Sequence, residues 1–104
     1  MTTLDPMLAM MLAAHGIEIT TTQRHALVEY AQRVAHEIAT RSGGDATSDD
    51  VAVEMEARGF RYADLGNAAG AIFRHGWEWT GAVTRSQRPS SHGRLIRIWR
   101  RRDA

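Results

Sequence analysis

The chain has 104 residues, 43% of them hydrophobic and 24% charged, which predicts one folded domain and argues against a disordered chain. It contains no cysteine, and this excludes disulfides, thiolate metal sites and a cysteine nucleophile. The formal charge of +1 divides unevenly, because residues 1–60 carry four Arg and nine acidic residues (−5) whereas residues 61–104 carry nine Arg and three acidic residues (+6). The basic half is either a solvated surface or the contact for an anionic partner, with nucleic acid the first candidate.

Residues 1–19 are predicted to form a unit separate from a main domain of residues 20–104. Asp5-Pro6 is typical of a helix start, and Gly16 follows a helix predicted near 5–15. This helix is apolar on almost all sides, so we expect it to cover the core or to form a homodimer. Its apolar run, 7–14, is too short to cross a membrane and lacks the basic start of a secretory signal. We therefore expect a cytoplasmic protein without a membrane partner.

Three further helices are predicted, near 21–41, 48–58 and 64–75. Thr20 with Gln23 has the form of a capping box, and Thr47 with Asp50 has the same three-residue spacing. Apolar residues then recur at three- and four-residue steps, which indicates one buried face per helix. Residues 43–46 are predicted to be a loop.

From Trp77 the apolar period changes from 3.6 residues to 2. Two strands are predicted, near 77–84 and 94–101, joined by a loop rich in turn-forming residues. Three helices followed by a β-hairpin, with a tight turn between the last two helices, predict an α+β fold of the winged helix-turn-helix type. In that fold the last helix enters the DNA major groove and the hairpin lies along the backbone.

A helical wheel of residues 64–75 predicts a core-facing stripe that includes Leu65 and Ile72, and a small, polar outer face. On the outer face, Asn67 and Arg74 suit readout of adenine and guanine edges. The hairpin tip combines basic groups and hydroxyls, the side-chain types that contact phosphates. Its predicted contact residues are Arg85, Ser86, Arg88, Ser90, Ser91, His92 and Arg94.

Residues 65–74, Trp77, Gly81, the tip 86–94 and Ile98-Trp99-Arg100 together resemble small winged-helix proteins of phages and prophages of GC-rich bacteria. The resemblance covers about residues 47–101. It implies the winged-helix fold and a DNA-binding role in phage-type gene regulation or DNA metabolism, and it supplies no target sequence.

Other site types are less well supported by the sequence. His25 and His36 lie about 16 Å apart along one helix, so we expect no metal site or other cofactor. Asp49, Asp50, Glu54 and Glu56 could form a nuclease carboxylate cluster, but the two aspartates suit a helix start, and we interpret the four as helix-start and solvated side chains. We expect no enzymatic activity.

The leading hypothesis is a non-catalytic protein that binds double-stranded DNA. One alternative is a protein-interaction module on the same scaffold, binding a host or phage protein through the acidic half or helix 5–15. A third is binding of single-stranded DNA through Trp77, Trp79 and Trp99, although Trp residues on adjacent strands more often pack in the core or across strands.

Overall fold

The computed structural model describes residues 20–102, so the predicted helix 5–15 and the unit 1–19 lie outside the described residues. Helix α1, Thr21–Arg41, begins at the predicted capping box: the Thr20 hydroxyl accepts from the backbone of Gln23, whose side chain accepts from the Thr20 backbone. The apolar residues of α1 recur on one face, and this face is the largest contribution of a single element to the core.

Strand β1, Asp45–Ala46, follows within a segment predicted to be a loop. Two residues are too short to show the alternation by which strands are recognised. The strand exists because a later strand pairs with it, placing Asp45 opposite Arg100. Helix α2, Ser48–Ala57, then begins at the second predicted capping box, Thr47 with Asp50.

The predicted α-helix 64–75 is replaced by a 3-10 segment, Tyr62–Ala71, and this is a correction to the sequence analysis. Gly66 breaks the segment with φ 54° and ψ −137°, a conformation that residues with a Cβ rarely adopt. Two glycines within ten residues also weaken the preference for an α-helix. The predicted burial of Leu65 and Ile72 is nevertheless confirmed.

Two side chains of α1 hold the 3-10 segment in place. Arg24 donates to the carbonyl of Asp64 at 3.1 Å, and Gln32 donates to the carbonyl of Ala71 at 3.2 Å. An irregular segment leaves carbonyl groups without the partners of an α-helical ladder, and buried backbone groups need such partners. Side chains of α1 therefore provide two hydrogen-bond donors that the segment's own backbone does not provide.

The predicted hairpin is confirmed as strands β2, Trp77–Arg85, and β3, Leu95–Arg101. The sheet is antiparallel with the order β1-β3-β2, so β3 is central and β2 is an edge. Trp79 pairs with Trp99 and Val83 with Arg97, which leaves three residues of β2 opposite one of β3. This is a β-bulge at Thr80–Ala82.

The hydrophobic core joins α1 and α2 to the 3-10 segment and to the first residue of β2. The α+β class is confirmed, as three helical segments with a three-stranded antiparallel sheet. Within residues 20–102, no helix is long and apolar enough to cross a lipid bilayer. The hairpin extends beyond β1, which pairs only with Trp99 and Arg100 of β3.

Candidate nucleic-acid interface

The tip of the hairpin, residues 86–94, is folded back on itself by backbone hydrogen bonds. Ser86 N–H donates to the carbonyl of Arg94 at 2.8 Å, and Arg94 N–H donates to the carbonyl of Ser91 at 3.0 Å. Pro89–Ser91 form a short 3-10 turn that ends at His92, whose φ of 51° is left-handed. The exposed side chains of Ser90 and His92 are thus carried on a compact turn.

Asp49, near the start of α2, holds the base of this tip. Its carboxylate accepts from the Ser86 hydroxyl at 2.9 and 3.1 Å and from the Gln87 backbone N–H at 2.7 Å. Ser86, predicted as a phosphate contact, is only 5% exposed, and its hydroxyl donates to Asp49 within the protein. Asp49 lies in the first turn of α2, as the helix-start interpretation predicted, but its carboxylate is hydrogen-bonded to the hairpin rather than only solvated.

The arginines of the hairpin differ in what their side chains contact. Arg85 donates to the carbonyl of Gly93 at 2.8 Å, so part of its guanidinium stabilises the tip. The Arg88 guanidinium lies 4.8 Å from the centre of the Tyr62 ring, and one of its nitrogens is 3.3 Å from the Ser90 hydroxyl. Arg94 is exposed. Ser91 is half-buried beside them.

Ion pairing separates the arginines into two groups. Within residues 20–102, the arginines in salt bridges are Arg41, Arg58, Arg61 and Arg100. Of the hairpin arginines, Arg100 is paired with Asp45, whereas 85, 88, 94 and 97 are in none of these pairs; Arg24, Arg33 and Arg74 are also outside them. Their positive charges are therefore not neutralised by a carboxylate of the described chain.

The outer face of the 3-10 segment is exposed, as the wheel predicted for an α-helix. Asn67, Gly70 and Arg74 are exposed, whereas Ala71 is half-buried and its carbonyl accepts from Gln32. A 3-10 helix places residues i and i+3 in line, so Asn67 and Gly70 share one edge. Of the two predicted base-reading residues, Asn67 lies within the 3-10 segment and Arg74 lies three residues beyond its end, and both are exposed.

A groove of about 410 Å³, here called the aromatic groove, is lined by residues of the 3-10 segment and the hairpin. Its lining includes Tyr62, Gly70, Phe73, Arg88, Arg94 and Trp99. Burial raises the pKa of the Tyr62 hydroxyl above its ordinary value because the charged form loses water, while Arg88 acts in the opposite direction. Tyr62 is not among the site residues predicted from the sequence.

The three tryptophans have three different environments. Trp77 is buried, with its ring 5.0 Å from those of His36 and Phe73. Trp99 stacks on Phe73 with an interplanar angle of 9°. Trp79 is 46% exposed, and the Arg97 guanidinium lies 4.6 Å from its ring centre. The prediction of packing in the core is confirmed for Trp77, and Trp79 instead pairs across strands with Trp99.

The described carboxylates and histidines do not gather into a metal site. Within residues 20–102, no group of three or more His, Asp or Glu side chains could hold a metal ion. Glu54 is instead paired with Arg41 and Arg58. No known protein family, curated protein or solved structure matches the chain.

Proposed function

We propose that the chain is a winged-helix protein that binds double-stranded DNA and carries out no catalysis. The order of its elements supports this: helix, short strand, helix, helical segment and hairpin, with the first strand paired to the last and a sheet order of β1-β3-β2. In a winged helix the hairpin is the wing, and the segment before it is the reading element. The resemblance to phage and prophage proteins suggests gene regulation or DNA metabolism as the setting.

The observation that carries the proposal is the group of arginines outside any ion pair on the hairpin. Arginines that serve the fold, such as Arg58 and Arg100, are paired with carboxylates. Arg88 and Arg94 are not, and both line the aromatic groove together with Gly70 of the 3-10 segment. Phosphates are the partners that such arginines suit.

The division of roles follows from these positions. Arg88, Arg94 and the exposed tip residues Ser90 and His92 contact the DNA backbone, while Asn67 and Arg74 face base edges. Arg85 and Ser91 contribute near the same backbone, with Arg85 also bracing the tip through Gly93. Ser86 is excluded from this set because Asp49 occupies its hydroxyl.

The salt dependence of binding tests the proposal. Each phosphate contact by an arginine releases counterions, so the logarithm of affinity falls with the logarithm of salt concentration by about 0.9 per contact. We expect Arg94→Ala to weaken binding to every duplex alike and to make the slope shallower by about 0.9. Fluorescence anisotropy with labelled duplexes at several salt concentrations measures both quantities.

Arg33→Ala is the matched control, because it removes the same charge from an exposed position of α1 outside the hairpin. We expect its salt slope to equal that of the wild type. Absence of salt-sensitive binding by the wild type to any duplex would overturn the proposal. Equal slopes for all three proteins would remove Arg94 from the interface.

A protein-interaction module is the second candidate, favoured by a second groove of about 530 Å³. Ile38, Val53 and Pro89 line it, and Val53 presents an apolar side chain that is 64% exposed. The proposed homodimer through helix 5–15 is a separate question, and sedimentation at high protein concentration tests it.

A further inference from the structure

The aromatic groove has a shape that contact with an intact duplex does not need. A regular α-helix would present residues 67, 70 and 74 as a convex face, suited to lying in the major groove. The break at Gly66 and the absence of a side chain at Gly70 leave a concavity of about 410 Å³ instead. This volume lies within the range of pockets that enclose small molecules.

The lining chemistry matches a nucleobase with its phosphate. Two stacked pairs contribute to the groove: Arg88 on Tyr62, and Trp99 on Phe73. Unpaired bases stack on aromatic rings and on guanidinium planes. Arg94 and Arg88 are outside the ion pairs of the described chain, so both can meet a phosphate that adjoins the base.

A base in an intact duplex offers only its edge, because its faces are covered by its neighbours. A base that has left the stack offers both faces, and its cost of extrusion is least where it has no partner. We infer that the aromatic groove binds one unpaired DNA base, so that the protein prefers duplexes containing an extrahelical nucleotide over fully paired ones. This inference rests on the proposed DNA-binding function and specifies the form of DNA that the site binds.

Three labelled duplexes of equal length test the inference by anisotropy: one fully paired, one with a single unpaired adenine, and one with an abasic residue at the unpaired position. We expect the unpaired adenine to bind about tenfold more tightly than the paired duplex. The abasic probe keeps the flexibility of the bulged duplex and lacks only the base. We expect it to lose the gain, which separates base binding from DNA bending.

Gly70→Leu is the variant that fills the groove, and Gly70→Ala is its matched control. A Cβ at Gly70 meets no atom within 4 Å, and φ there is not left-handed, so Gly70→Ala is compatible with the fold and the leucine side chain starts from open space. Gly66 is unsuitable because its φ is +54°. We expect Gly70→Leu to abolish the preference for the unpaired adenine and Gly70→Ala to retain it, with thermal melts confirming that both proteins are folded.

The outcomes distinguish failure of this inference from failure of the proposed DNA-binding function. Equal affinity of the wild type for all three probes, with salt-sensitive binding intact, would overturn the inference and leave duplex binding standing. Equal gains for the adenine and abasic probes would also overturn it, since the protein would then read flexibility. No salt-sensitive binding to any probe would overturn the proposed function itself.

Discussion

Asp49 shows how one carboxylate orients the surface that we propose contacts DNA. It lies in the first turn of α2 and accepts from Ser86 and from the backbone of Gln87. These bonds join an element of the helical half to the base of the hairpin tip. The direction in which Arg88 and its neighbours project therefore depends on Asp49. Asp49 is negatively charged and would itself be repelled by phosphate.

We expect Asp49→Ala to lower the free energy of unfolding by about 1–3 kcal/mol, because the buried Ser86 hydroxyl loses its charged acceptor. Chemical denaturation followed by circular dichroism measures the change. Glu56→Ala is the control: it removes an exposed carboxylate from the same helix, and we expect a change within about 0.5 kcal/mol. Equal stability of the two variants would show that the Asp49 bonds contribute little.

No local pattern predicts this contact, since Asp49 and Ser86 are 37 residues apart. An aspartate in a first turn has a sufficient local explanation in the helix dipole, and a serine in a loop has one in turn formation. Each residue therefore has a sufficient explanation in its local sequence, and that explanation gives no sign of the contact between the two. Thr47 and Asp50 were predictable because their whole interaction lies within one helical turn.

At the scale of elements, α1 and α2 are joined by a network of charges around Arg58. Arg58 donates to Tyr30 and Glu37 of α1 and to Glu54 of α2, and Arg41 of α1 also donates to Glu54. Hydrogen bonds from Arg41 first, and then from Arg58, hold the pKa of Glu54 below its ordinary value of 4.5.

A carboxylate with a lowered pKa contributes stability above its unfolded pKa, and the contribution is lost as the pH falls through the folded pKa. The loss from Glu54 therefore lies below pH 4.5. We expect Glu54→Gln to show a smaller fall in melting temperature than the wild type between about pH 5 and about pH 3. Glu56→Gln serves as the control and should follow the wild type; an unchanged profile for Glu54→Gln would contradict the prediction.

The elements that were predicted correctly have strong local signals. α1 and α2 each begin at a capping box, and the hairpin has two extended runs around a turn-rich loop. The segment 62–71 has no such signal beyond a few apolar positions, and the wheel assumed α-helical geometry. The wheel still predicted the burial of Leu65 and Ile72 correctly, because the core requires an apolar residue at each position, whatever the helix type.

At the scale of the whole molecule, the proposed interface has two surfaces that recognise different properties of DNA. We expect the unpaired hairpin arginines to respond to the charge of any duplex, and Asn67 and Arg74 to respond to its sequence. We expect Asn67→Ala or Arg74→Ala to cost about 1–3 kcal/mol on a preferred site selected from random duplexes, and much less on random DNA. Competition binding measures the two affinities.

Arg33→Ala again provides the control, with an unchanged ratio between preferred and random DNA. A uniform loss on both classes of DNA for Arg74→Ala would assign that residue to the backbone. Apart from β1, the element order that suggests these two surfaces was predictable from periodicity. The groove between them was not, because it depends on the broken segment and on how Arg88 packs over Tyr62.

The β-bulge in β2 has a consequence for the protein at high concentration. β2 is an edge strand, and a straight, exposed edge is a template on which another chain can add a strand and begin polymerisation. At the bulge, Ala82 N–H donates to the Thr80 hydroxyl, and the Ala82 carbonyl accepts from the Trp79 indole. An incoming strand would find two backbone groups of the edge already hydrogen-bonded, and the edge itself kinked at the bulge. The bulge therefore makes β2 a poorer template for strand addition beside the exposed Trp79 and Val83.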